Sequence, residues 1–271
     1  MPSSNLNNVT DAEPSRQDIE YHVSESIAVI RFNRPERLNS LGIGMLERYA
    51  ELLETADMDP AVRAIVVTGN GRGFCSGADL SMLAAGPQAL QEYVARQDPD
   101  RGPAMALTLS TPVVTAINGP CAGLGFVIGI CADRRFVHPD ATLSTTFARL
   151  GLVAEYGVSW VLPRIVGLAH ATDLLLTGRT ITGLEADHIG LAESTDDPFA
   201  AAMQWARLVA DNCSPASMAF MKQALLDSGS ATLNQAMIQA LEFMGRAFDG
   251  DDLVEAMQAR SEKRLPRFPS R

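Results

Sequence analysis

The stretch VVTAINGPCAGLGF, residues 113–126, decides how the rest of the chain is read. Val113 to Ile117 are all apolar or β-branched, a run of the length and kind found in a fully buried strand. Asn118, Gly119 and Pro120 then turn the chain. Residues 123–131 form a second apolar run, which predicts a short buried helix. An earlier stretch, AIVVTGNGRGFCSGADL at 64–80, begins the same way: an apolar strand over 64–68, then a glycine-rich turn over 69–73. Glycine lets a backbone turn sharply and approach a ligand closely. A helix that starts after such a turn leaves free N–H groups and a positive dipole end. Two such turns brought together make a two-donor anion pocket, which is what acyl chemistry needs.

Outward from these stretches the pattern alternates. Residues 19–23 and 27–32 are β-rich and predict a hairpin, with 24–26 as its turn. A helix is expected over 43–56, with Met45, Leu46, Tyr49, Leu52 and Leu53 on one face. A further strand is expected at 134–138. From 102 to 132 there is no charged residue, yet Pro112, Asn118, Gly119 and Pro120 break any single helix. That stretch is read as buried helix, strand, turn and helix rather than a membrane span. The second half is helical, with helices near 168–177, 198–211, 215–227, 233–248 and 251–264. Thr182 and Glu185 have capping-box spacing. Met218, Met221, Met237, Met244 and Met257 recur on this half and read as adaptable packing. Residues 1–18, rich in Ser, Asn and Asp, read as a flexible tail. The class is α/β with layered sheets.

Composition excludes several functions. The 271 residues are 46% hydrophobic and 20% charged, which suits one large domain with a sizeable core. A formal charge of -10 argues against a nucleic-acid or membrane-surface partner. Lys222 and Lys263 are the only lysines, so there is no Walker phosphate loop. No Cys-x-x-Cys, His-Glu-x-x-His or Gly-x-Ser-x-Gly motif occurs, so no metal is expected. Neither glycine turn fits the dinucleotide fingerprint. Cys75, Cys121, Cys131 and Cys213 read as sparse thiols of a cytoplasmic protein.

Four motifs carry a resemblance to the crotonase (enoyl-CoA hydratase/isomerase) superfamily. They are NRPERLNSL at 33–41, GFCSGADL at 73–80, NGPCAGLG at 118–125, and LGLVAEYG at 150–157 with LPR at 162–164. The resemblance spans about residues 27–268. It implies a spiral core of strand-strand-helix units over 19–197 that binds acyl-CoA. A C-terminal helical region, 198–271, would drive assembly into a homotrimer or a dimer of trimers. By the same resemblance the substrate is an acyl-CoA thioester, with coenzyme A as part of the substrate and no permanently bound cofactor. The backbone N–H groups of Ala78 and Leu124 would hold the thioester oxygen. Arg37, Leu38, Ser76, Asp79, Leu80 and Lys263 would contact coenzyme A, Lys263 from a neighbouring subunit. Arg34 and the basic tail, Arg260 to Arg271, are further sources of local positive charge. Phe74, Val127 and Phe147 would line the acyl pocket.

The chain departs from the family's hydratases at the two positions where those enzymes carry water-activating glutamates. Here they are Val127 and Phe147, and neither can take a proton. The isomerase-like branch carries one acid after its Gly-Leu motif, and here that acid is Glu155. One carboxylate can move a proton between two carbons of an enoyl chain. The expected activity is therefore conversion of 3-enoyl-CoA to 2-enoyl-CoA. The alternatives are hydration of 2-enoyl-CoA and acyl-CoA binding without turnover. A structural reading of Glu155 is a carboxylate favouring the dipole of the next helix. The structural reading of Asp79 is a helix cap.

Overall fold

A computed structural model describes residues 18–79, 84 and 86–269. Leu80, Arg271 and most of the expected tail lie outside the described residues. Strands β1 (Ile19–Ser24) and β2 (Ile27–Phe32) pair antiparallel. Glu25 and Ser26 between them both have positive φ, 50° and 61°, as a two-residue turn matched to strand twist requires. β2 then pairs in parallel with β3 (Ala64–Gly69), and β3 with β4 (Val113–Ile117). β6 (Arg134–Val137) and β9 (Glu193–Ser194) complete a six-stranded sheet of order β1-β2-β3-β4-β6-β9.

Every residue of β3 and β4 is buried, because both faces of the sheet are covered. The two-residue period of a strand sorts the side chains. Ile65, Val67, Val113 and Ile117 join the main core with Tyr49, Leu52 and Leu53 of α1 (Met45–Met58). Ala64, Val66, Val114 and Ala116 face the other way, against Ala202, Ala206 and Ala210 of α6 (Pro198–Asn212). Alanines four apart let that helix lie close to the sheet.

A second sheet has the order β5-β7-β8, built from β5 (Cys121–Ala122), β7 (Thr142–Ser144) and β8 (Thr180–Thr182). It flanks α3 (Leu124–Ile130), all of whose residues are buried. In chain order α2 (Pro87–Ala95) comes between β3 and β4. After the second sheet's β7 comes α4 (Val158–Thr177), interrupted at Gly167, where φ is 77° and ψ 160°. The helix expected at 168–177 is thus only the second part of this element. α5 (Gly183–His188) leads to β9, and α7 (Pro215–Asp227), α8 (Leu233–Phe248) and α9 (Asp252–Glu262) follow α6.

Two local expectations need correction. The helix expected before Val113 is a 3-10 turn, Pro103–Leu107. The Thr182 hydroxyl accepts from the Glu185 N–H, but the Glu185 carboxylate binds Arg179 at 2.6 Å instead of closing the box. The complete capping box is Thr232 with Gln235, at the start of α8. Among the described residues no helix is long and apolar enough to cross a membrane. α7 is tied to the core by Lys222, which is buried. Its Nζ donates to Asp133 at 2.5 Å and to the carbonyls of Ala106 and Thr111 at 3.2 and 3.1 Å.

Candidate functional site

The two glycine stretches meet because two asparagines and a set of missing side chains bring them together. Asn39, fully buried with φ of 57°, donates from Nδ2 to the carbonyls of Asn70 at 2.9 Å and Gly73 at 2.7 Å. Its Oδ1 accepts the Arg34 N–H at 2.8 Å. Asn118, in the turn after β4, donates to the carbonyls of Gly71 and Gly73. The turns lie in direct backbone contact: a Cβ at Gly119 would fall 2.0 Å from the Arg72 carbonyl oxygen.

Beyond this junction the chain from Cys75 to Asp79 is held on both sides. Cys75 bridges Cys121, its N–H donating to Pro120 O and its carbonyl accepting from Ala122 N–H. Leu41 bridges Ala78: Leu41 N–H donates to Gly77 O at 2.8 Å, and Asp79 N–H to Leu41 O at 2.9 Å. In such a parallel bridge the flanking groups of residues 77 and 79 face Leu41, so the N–H of Ala78 faces away from it. Leu124 lies close to the preceding residue, Gly77. A Cβ on Gly77, where φ is 95°, would sit 2.7 Å from Ala122 O and 3.4 Å from Leu124 N. Only glycine leaves that space open. Leu124 begins α3, and the first N–H groups of a helix have no acceptor within it. Among the described residues neither the Ala78 nor the Leu124 N–H has a backbone acceptor. The fold therefore brings the Gly77–Ala78 loop against the start of α3.

Glu155 lies in the turn before α4 and is half-buried. That helix is capped by Gly157 with no side-chain cap, so Glu155 makes no capping hydrogen bond. Among the described residues its carboxylate has no hydrogen bond or ion pair. Burial alone pushes its pKa up. Two phenols flank it. Tyr156 donates to Gln97 Oε1 at 3.3 Å, and its ring packs so closely on Gly102 that a Cβ there would fall 2.4 Å away. Burial, then the charges of Glu155 and Glu47, raise the Tyr156 pKa to about 12. Tyr93 of α2 is also pushed up, first by burial, then by Glu47, Tyr156 and Glu155. Gln97 Nε2 reaches the Tyr93 carbonyl at 3.5 Å, linking the end of α2 to Tyr156.

The other expected site residues fall in three groups. Phe74, Val127 and Phe147 are buried in the same core as Leu124, with Phe74 edge-on to Phe32 at 6.0 Å. Asp79 is buried and accepts from Arg34 at 3.1 Å, Arg37 at 3.0 Å and Ser40 at 3.3 Å. Arg34 is thereby largely committed inside the fold, whereas Arg37 stays 57% exposed. Leu38 takes a left-handed φ of 50°, and Ser76 Oγ meets the Arg37 carbonyl at 3.4 Å. The helix that Asp79 is expected to cap lies outside the described residues. Lys263 is exposed at the end of α9, and among the described residues no hydrogen bond or ion pair joins it to the Arg37–Asp79 loop. Arg264 of the basic tail is bound by Glu255 and Glu262, each at 2.6 Å. Burial pushes the Cys75 thiol up to about 12, which keeps it protonated and unreactive. Among the described residues no three acidic, histidine or cysteine side chains gather to hold a metal.

Sequence reasoning does not find Asn39, Asn118, Tyr93, Glu47 and Gln97. The first two lie within motifs already singled out, and their carboxamides are the available signal. The last three come from segments with no motif.

The sequence profile of the enoyl-CoA hydratase/isomerase family matches residues 22–271. The chain is 33% identical over 259 residues to a "Probable enoyl-CoA hydratase" of Rhodobacter capsulatus, covering 95% of this chain and 100% of that one. It is 30% identical over 260 residues to the 1,2-epoxyphenylacetyl-CoA isomerase of Escherichia coli, covering 91% and 96%. The crystal structure of an enoyl-CoA hydratase from Bacillus anthracis superposes with a TM-score of 0.87 at 27% identity, covering 94% and 100%.

Proposed function

Because this chain belongs to the enoyl-CoA hydratase/isomerase family, we propose that within that family's acyl-CoA chemistry it moves a double bond, from 3-enoyl-CoA to 2-enoyl-CoA. The observation that carries this reading is the pairing of one half-buried acid with two apolar positions. Glu155 has no hydrogen-bond partner among the described residues, while Val127 and Phe147 are buried where a second carboxylate would have to act. The Ala78 and Leu124 N–H groups bind the thioester oxygen. They stabilise the negative charge that develops there when a proton leaves C2. Glu155 takes that proton from C2 and returns it at C4, which leaves the double bond conjugated with the thioester. Burial raises the basicity of its carboxylate toward what proton abstraction at neutral pH needs. The thioester is itself the electron sink, so the reaction needs no resident cofactor. Arg37 supports the coenzyme A end as the exposed member of the Asp79 cluster.

The C-terminal region is proposed to assemble a trimer or a dimer of trimers, with Lys263 reaching the nucleotide of a neighbour. The support is α8, which buries none of its residues in the single chain. Leu233 and Leu241 are 79% and 75% exposed, and Met237, Met244 and Phe248 share its apolar surface.

The second reading, hydration of 2-enoyl-CoA by Glu155 alone, draws on the name of the Rhodobacter capsulatus relative. Absorbance of the conjugated enoyl thioester separates the two. Rising absorbance with a 3-enoyl-CoA, abolished in Glu155→Gln, is the expected result. Falling absorbance with a 2-enoyl-CoA and none rising with the 3-enoyl isomer would replace the isomerase with a hydratase. No change with either, at normal acyl-CoA affinity, would leave a binding protein.

A further inference from the structure

Tyr156 holds a backbone conformation that its residue type does not favour. The Glu155 carbonyl accepts the Val158 N–H at 3.2 Å, which closes a four-residue turn. The two central residues, Tyr156 and Gly157, have φ of 48° and 73°. Positive φ at both is the pattern of a type I′ turn, which favours glycine, asparagine or aspartate. A bulky side chain sits there against its own preference. Its contacts offset that cost. The Tyr156 ring lies so close to Gly102 that a Cβ there would fall 2.4 Å from Cδ1 and 2.7 Å from Cε1. The phenol donates to Gln97 Oε1 at 3.3 Å. Both supports are themselves anchored. Arg101, next to Gly102, makes a two-point contact with Glu54 of α1, 2.8 Å at each end. The Gly102 carbonyl accepts the N–H of buried Met105 at 2.9 Å, and the neighbouring Ala106 carbonyl accepts from Lys222. Gln97 bonds the Tyr93 carbonyl through Nε2 and the Val94 carbonyl through its N–H.

We propose that Tyr156 is a positioning residue for Glu155: its ring on Gly102 and its phenol on Gln97 hold the turn that aims the carboxylate at the reacting carbons. The inference rests on Glu155 being the base of the proposed function. Tyr156 shares a planar peptide unit with Glu155. A shift of the ring therefore tilts that unit and swings the Glu155 side chain with it. The Glu155 carboxylate has no hydrogen bond among the described residues to resist such a swing. Proton transfer is steep in distance, and a misplacement of about 1 Å costs about 10² in rate.

The test is a double-mutant cycle on conversion of 3-enoyl-CoA by the intact protein, with acyl-CoA affinity measured alongside. Tyr156→Asn suits a positive φ but removes the ring and the phenol. Its kcat is expected to fall about 10²-fold while affinity holds within about twofold. Tyr156→Phe keeps the ring and should lose about two- to tenfold in kcat. Gly102→Ala displaces the ring and should lower kcat about tenfold or more. In the Tyr156→Asn background the same substitution should cost less than about twofold, because no ring remains to displace. Equal cost of Gly102→Ala in both backgrounds would overturn the inference. So would wild-type kcat in Tyr156→Asn, which would mean that the backbone alone sets Glu155. Lost affinity at unchanged kcat would make Tyr156 a pocket wall and overturn it as well. Should Tyr156→Asn not fold, Tyr156→Phe decides: lower kcat at wild-type affinity and melting temperature supports the clamp, and wild-type kcat overturns it. Glu155→Gln separates this inference from the reading beneath it. Conversion that survives in Glu155→Gln would overturn the proposed base and the clamp together. Conversion lost there but unchanged in the Tyr156 variants would overturn the clamp alone.

Discussion

The glycine-loop pair and the Glu155 turn are built in opposite ways. Residues 73–79 and 118–125 present main-chain groups, packed so tightly that a Cβ at Gly119 or Gly125 would fall 2.0 Å from a carbonyl oxygen. The Glu155 turn presents one side chain, half-buried and without a hydrogen bond among the described residues. The first region depends on backbone path and tolerates changes of side-chain chemistry wherever the space allows. The second depends on one functional group and tolerates little change in it. Charge that develops on an oxygen is met by fixed dipoles, whereas a migrating proton needs a titratable group.

The sharpest way to break this contrast is Glu155→Gln, which keeps shape and removes the proposed base. Turnover is expected to fall by roughly 10²–10⁴. The sign for stability is opposite. Burial raises the folded-state pKa of Glu155, so above that pKa its charge opposes folding. At neutral pH the variant should therefore melt at the wild-type temperature or higher. A lower melting temperature would mean that the carboxylate is structural. Next in size is Gly77→Ala. Its methyl group would meet Ala122 O and crowd Leu124 N at a φ of 95°. A loss of about 10²–10³ in kcat is expected, as for losing one oxyanion donor, with acyl-CoA affinity less affected. Calorimetry of Asn39→Ala should show about 1–3 kcal/mol of lost stability, because the carbonyls of Asn70 and Gly73 lose a buried donor.

Smaller effects refine the comparison. The acid limb of the pH–rate profile should lie above the ordinary glutamate value, with the rate rising as pH increases through it. Below that pKa the rate should fall about tenfold per pH unit, since only the ionised Glu155 accepts a proton. A limb at or below the ordinary value would assign the proton transfer to another group. The smallest expected change is in Leu124→Ala, where the N–H survives. Its kcat should drop by less than about tenfold even though the core loses packing. A drop as large as that of Gly77→Ala would show that the leucine side chain, not its N–H, carries the effect.

Much of the frame is legible in the order of the residues alone. The strands at 27–32, 64–69 and 113–117, the α3 helix and the helices of the second half follow from local apolar period, turn residues and caps. The elements that escape such a reading are too short or too ambiguous to leave a pattern. β5 and β9 have two residues each, and the front of α4 is disguised by Pro163 and by the break at Gly167. α8 shows the opposite case. Its amphipathic stripe is clear in the sequence, yet the single chain buries none of it. A stripe states that a face will be covered, not by what.

The sequence by itself determined where the backbone turns, which strands are buried, and that positions 127 and 147 carry valine and phenylalanine. These are properties of neighbouring residues, set by sterics and period. Only the tertiary structure decided that Gly77 packs against Ala122 and the start of α3. It also decided that Asp79 belongs to two arginines, and that Gln97 joins the end of α2 to the turn that carries Glu155. Those groups come from elements far apart in the chain. Their meeting is fixed by sheet order and helix docking, which burial of apolar surface selects for the molecule as a whole.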